Sequence, residues 1–180
     1  MKPKAIDKKG EVFVHQASGF KIPTNLESLF RLNVIAFNSD HSNIGIGYSG
    51  KESKIPIEVT AYFYPAKKVS TADLVDSVAK AKKEGSCSNE ISSSDATIRM
   101  YNQQLKLLKR EKYSKINWRN QKLVTNRFYY DVLGTKGKSL LSHYCPLNSS
   151  WMLKIRASYH KDFPGDEFLK RFEKKLLEAI

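Results

Sequence analysis

In the two clearest stretches of this chain apolar residues return at every second position, and that period points to sheet rather than helix. Trp151, Leu153, Ile155, Ala157 and Tyr159 alternate with Met152, Lys154, Arg156 and Ser158, so a strand here sends one set inward and the other to the opposite face. Ile57, Val59, Ala61 and Phe63 alternate in the same way with Glu58, Thr60, Tyr62 and Tyr64. Shorter runs at 11–15, 20–23, 29–37, 44–48, 123–133 and 139–145 read as further strands. Turn-rich joints at 38–43, 134–137 and 147–150 separate them. One-sided alternation of this kind predicts an antiparallel sheet.

Helical spacing interrupts the strands. Ser70 and Asp73 form a capping box ahead of Leu74, Val75, Val78 and Ala79, and Gly85 is placed to end that helix, predicted over 70–84. The serine-rich stretch 86–94 reads as a loop. A second helix is predicted over 95–112, with Ile98, Tyr101, Leu105 and Leu108 on one stripe and Arg99, Lys106 and Arg110 outward. A terminal helix after Pro164, Gly165 and Asp166 turns Phe168, Leu169, Phe172, Leu176 and Ile180 to the core. The expected fold is α+β: an antiparallel sheet of about six to seven strands packed with three helices in a single-domain sandwich. It spans 11–180 and follows a flexible basic arm at 1–10. A chain of 180 residues is long enough to bury one self-sufficient core. No run approaches the roughly 20 apolar residues of a membrane-spanning helix, so no membrane span is expected.

Three short motifs carry a family likeness. Ser18-Gly19-Phe20-Lys21-Ile22-Pro23, Tyr62-Phe63-Tyr64-Pro65 and Lys154-Ile155-Arg156-Ala157 together resemble the pattern of PsbP/Mog1-like α/β sandwich proteins over about residues 11–180. The resemblance implies an antiparallel sheet packed between helices. Proteins of that fold serve roles from photosystem assembly to binding a small GTPase, so it implies architecture and no particular function.

Charge gives the main functional lead. Lys and Arg number 31 against 18 Asp and Glu, a net charge of +13, which attracts polyanions and anionic surfaces. Lys106, Lys109, Arg110, Lys112, Lys115, Arg119 and Lys122 face a single acid, Glu111, with Tyr113 and Trp118 between them. Such a run suits phosphate neutralisation and base stacking, and equally suits the solvated side of a basic protein. A second candidate surface is the sheet face bearing Lys154 and Arg156, beside Tyr62, Tyr64 and Arg127, because Tyr and Arg dominate contact hot spots.

Other chemistries fit poorly. Gly45-Ile46-Gly47-Tyr48-Ser49-Gly50 matches G-x-G-x-x-G, but a dinucleotide site needs a helix directly afterwards, and Lys51 to Pro56 leads into another strand. The simpler reading is two glycines on one strand face, approached by a helix or an aromatic ring. His15, His41, His143 and His160 show no metal-ligand spacing. Ser142 and His143 fall on opposite faces of a strand, and His143 and Cys145 lie roughly 7 Å apart along it, too far for a relay. Asp162, Asp166 and Glu167 are explained by the positive end of the terminal helix. Cys87 and Cys145 match no redox or metal spacing; a disulfide is open to them if their Cα atoms come within about 7 Å, and two idle thiols are the alternative.

The N-terminus lacks the apolar core of a secretory signal. Cytoplasmic location is therefore the default, with export after removal of a signal as the alternative. The functional expectation is a non-catalytic accessory domain that binds a protein partner, without cofactor or metal. The alternatives are nucleic-acid or polyanion binding through 106–122, and an enzyme whose site is assembled from distant residues.

Overall fold

A computed structural model of the chain describes residues 2–6, 11–52, 54–66, 93–96, 98, 100, 104–118, 121–147 and 151–180. The strands run β1 (Lys4–Ala5), β2 (Phe13–His15), β3 (Phe20–Ile22), β4 (Asn25–Leu26), β5 (Leu29–Ala36) and β6 (Ile44–Glu52). They continue with β7 (Ile55–Pro65), β8 (Leu105–Trp118), β9 (Gln121–Val132), β10 (Gly137–Leu147) and β11 (Trp151–His160), and a helix at Gly165–Ala179 ends the chain. Nine strands make one antiparallel sheet in the order β1-β5-β6-β7-β11-β10-β9-β8, with β4 beside β5, and β2 pairs with β3 separately. The alternating strand read most clearly from sequence, β11, joins the two meanders: Trp151 to Tyr159 register against Pro65 to Ile57 of β7, and its other edge takes β10.

The expected three-helix α+β sandwich is not what forms. Among the described residues the molecule is mostly antiparallel sheet, nine strands in one layer, with two helical segments. Among the described residues, 93–96, 98 and 100 are helical, so Ser93 and Ser94 are not loop, and the terminal helix forms as expected. The helix predicted over 70–84 lies outside the described residues. The one predicted over 95–112 does not continue past its first turns, because Leu105–Trp118 is an edge strand. Two irregularities in its pairing with β9, between Leu107 and Lys109 and between Glu111 and Ser114, explain the misreading. Each breaks the two-residue period, and the Lys, Leu, Arg and Glu that remain are good helix formers. Part of the expected free arm is also strand: Lys4 and Ala5 register against Ala36 and Ile35, and Ile6 N–H donates to the Val34 carbonyl at 2.9 Å.

The main core lies between one face of the sheet and the terminal helix, whose Phe168, Leu169, Phe172, Leu176 and Ile180 are all buried. Phe172 meets Tyr48 edge-on at 5.4 Å between ring centres. Phe20 of β3 packs on Phe63 at 5.5 Å and so seats the small hairpin on the same core. Close approach requires glycine at the helix start, since a Cβ on Gly165 would run into the Tyr159 ring. A second, smaller cluster of Leu105, Phe128, Tyr130, Leu141, Cys145 and Met152 lies on the opposite, outer face, with Ala66 and Ile98 packed against it.

Candidate binding surface on the outer sheet face

Register lines up the outer face in rows. Gly45 lies opposite Tyr62, Tyr62 opposite Lys154, Lys154 opposite His143 and His143 opposite Asn126, a row across β6, β7, β11, β10 and β9. The next row is Gly47, Thr60, Arg156, Leu141 and Phe128. Of the residues expected on this face, Tyr62, Tyr64, Lys154 and Arg156 are there. The Lys154 Nζ sits 4.9 Å from the Tyr62 ring centre and 5.7 Å from that of Tyr64, a cation held over two aromatic faces.

Arg127 belongs to the other face. Alternation along β9 turns it inward, where its guanidinium donates to the Glu173 carboxylate of the terminal helix and to the Tyr144 hydroxyl, which also donates to Glu173. Burial works against the Arg127 charge, but the adjacent Glu173 carboxylate more than offsets it and holds the guanidinium above its ordinary pKa. Burial first, and Glu173 second, push the Tyr144 phenol up. Glu173 Oε1 and the hydroxyls of Thr125 and Ser142 nearby on the sheet are buried without a partner.

Over β5 to β7 the outer face is open. Gly45 and Gly47 floor a trough of about 310 Å³ lined also by Leu32, Asn33, Phe37, Thr60 and Tyr62. A Cβ on Gly45 would stand 2.9 Å from the Phe37 ring and 3.3 Å from Tyr62, and one on Gly47 would stand 2.8 Å from Asn33 Oδ1. The G-x-G-x-x-G string is thus a strand over which two rings lean, 6.1 Å apart at their centres. Phe30, Leu32 and Phe37 remain 50%, 43% and 38% exposed beside it. Glu58 is the sole carboxylate among the described lining residues, which include no His, Cys or Lys.

Over β9 to β11 the same face is covered. Tyr130 donates to Asp95 at 2.5 Å, tying the helical residues 93–96, 98 and 100 to the sheet. Beneath this cover His143 and Asn126 are 0% and 1% exposed, and neither ring nitrogen of His143 nor either amide atom of Asn126 has a partner. Burial, with Lys154 adding to it, pushes the His143 pKa down to about 3, so the imidazole is neutral. The sequence offered His143 as a scattered histidine without metal-ligand spacing and as a nucleophile's partner, and did not single out Asn126. A signal was present: Asn126, Phe128 and Tyr130 share one face of a strand, and the amide stands beside two large aromatic residues.

The basic segment divides between the two faces of β8 instead of forming one stripe. Lys109 binds Glu111 at 2.6 Å and lies over the inward Tyr129, while Arg110 lies over Phe128 of the outer cluster, 4.8 Å from its ring centre. Lys106 is exposed opposite Asp131. The side chains of Lys112, Lys115 and Lys122, and all of Arg119, lie outside the described residues. Lysines on an edge strand also protect it against pairing with other chains.

A wider hollow of about 770 Å³ borders the β2–β3 hairpin and includes Glu11, His15, Asp40 and His41. Its titratable groups are partly committed locally. His15 bonds Ser18 at 2.6 Å and the His41 carbonyl at 2.8 Å, and Asp40 accepts from the Ser42 backbone N–H at 3.1 Å and hydroxyl at 3.0 Å. Among the described residues no group of three or more His, Cys, Asp or Glu is placed to hold a metal ion, and no helix is long and apolar enough to cross a membrane. Cys145 is disulfide-bonded; Cys87, the only other cysteine of the sequence, lies outside the described residues.

In comparisons with family models, curated proteins and solved structures, nothing matched this chain. The PsbP/Mog1-like resemblance therefore rests on sequence pattern alone.

Proposed function

We propose that this chain is a non-catalytic binding domain that holds a protein partner on the open half of its outer sheet face. The observation that carries the reading is the trough over Gly45 and Gly47, walled by Phe37 and Tyr62 and flanked by the exposed Phe30 and Leu32. Contiguous exposed apolar side chains rimmed by polar ones are a hallmark of interaction surfaces. The partner is an acidic protein segment that places one apolar side chain in the trough. Arg156 beside Thr60 and the net charge of +13 favour carboxylates around that anchor. The bonded Cys145 supports an oxidising compartment, and so the exported alternative, because thiols stay reduced in the cytosol of most cells.

A photo-crosslinking residue at Leu32, compared in the producing cells with one at the exposed turn residue Thr135, tests this. A discrete protein adduct at Leu32 alone, surviving nuclease, is the expected result. Equal adducts at both positions, or adducts lost on nuclease treatment, would overturn it in favour of non-specific or polyanion contact.

A further inference from the structure

The covered half of the outer face holds a polar pair with no structural use. His143 and Asn126 are directly opposite on β10 and β9, which places their Cβ atoms about 5 Å apart. Their four polar atoms are buried and unpartnered, while native chains pair nearly all such atoms. The surroundings are apolar: Phe128 and Leu141 on one side, Cys145 and Met152 on the other. A few convergent polar groups within apolar walls is the usual make-up of a small-molecule site.

We propose that His143 and Asn126 form the polar end of a binding site for a small organic monocarboxylate. Its oxygens accept from Asn126 Nδ2 and from the imidazole N–H, and its apolar body lies against Phe128, Leu141 and Met152. The charge class follows from Lys154, opposite His143 on β11. Burial keeps the imidazole neutral and the positive potential of Lys154 adds to it; that potential at the pair favours an anion over a metal ion or an amine. A neutral imidazole and an amide together supply the two donors a carboxylate takes. A phosphate dianion fits worse, because the desolvation cost in an apolar layer rises steeply with charge. This site is separate from the open trough and does not depend on the partner proposed there.

The probe is hexanoate, added to the whole protein with its histidine rings labelled with 15N. Expected are saturable binding, a shift of the His143 ring signals, and weaker binding of acetate, which lacks the apolar body. His143→Phe and Asn126→Leu remove the polar atoms at similar volume and each weaken hexanoate binding at least about tenfold, the loss expected for a hydrogen bond to a charged group. Failure of hexanoate to bind, equal binding to both variants, or ring signals that do not move on saturation would overturn the proposal, leaving the pair to internal water. The ring signals are read on the unaltered protein, so the test stands even if a variant does not fold.

Discussion

Asn126 and Arg127 are neighbours on β9 and face opposite sides of the sheet, and the chain treats them in opposite ways. Arg127 goes inward and meets Glu173 and Tyr144; Asn126 goes outward to His143, and neither has a partner. A buried charge left alone is too costly to keep, so the inner position needs a carboxylate from the helix. Glu173 thus joins the helix face that Phe168, Leu169, Phe172 and Leu176 already turn to the sheet. A neutral amide or imidazole costs less when unpaired, and the outer pair can stay unsatisfied until something binds. Buried charge here specifies the fold, and buried neutral polarity is what remains for function.

The largest expected effect breaks the inner half of this comparison. Glu173→Leu leaves the largely buried Arg127 guanidinium without its counter-ion and should lower stability by about 3 kcal/mol in urea unfolding. Adding Arg127→Met to it should recover most of the loss, because two apolar groups of similar size replace a pair that gained little net energy. A single variant costing well under about 1 kcal/mol would mean the pair behaves as a surface bridge, and the contrast would fail.

The outer half predicts a pH effect with a definite sign. His143 has a folded pKa of about 3, below its value near 6.5 in the unfolded chain, so the unfolded state takes up the proton first. Its contribution is complete above about pH 6.5 and is lost as the pH falls toward the folded value, reaching about 2 kcal/mol by pH 5. Burial lowers the His15 pKa as well, in the same direction. Urea unfolding at about pH 7.5 and about pH 5, a window above the ordinary carboxylates, should show this drop, and His143→Phe should remove the larger part. An unchanged drop in that variant would assign the effect to His15 and the rest of the chain.

Much of this arrangement was legible in the sequence, and the failures have physical causes. The two-residue period located β7 and β11, shorter runs between turn-rich joints located β2, β3, β5, β6, β9 and β10, and helical spacing located the terminal helix. β8 was misread because its irregular pairing removes the period and its residues suit a helix. β1 and β4 were missed because two residues cannot show a period. Alternation on β9 alone could not separate Arg127 from Lys154 and Arg156, because it does not show which face of β9 continues which face of β11. That is set by the register through β10, a long-range pairing. For the same reason the Gly45–Tyr62–Lys154–His143–Asn126 row could not be assembled before the strand order was known.

Two smaller effects sharpen the contrast on the outer face itself. Asn126→Leu in the ligand-free protein should be neutral or stabilising by up to about 1 kcal/mol in thermal unfolding, opposite in sign to Glu173→Leu, because it replaces unpaired polar atoms with apolar ones. Leu32→Ser, on the open half, should change stability by no more than about 0.5 kcal/mol, since Leu32 is 43% exposed, yet should abolish the partner crosslink when the probe is moved to Phe30. Loss of the crosslink without loss of stability separates a surface kept for a partner from one kept for the core. If Leu32→Ser instead destabilises as strongly as a core truncation, about 2–5 kcal/mol, the open half belongs to the packed interior, and only the covered half remains a candidate site.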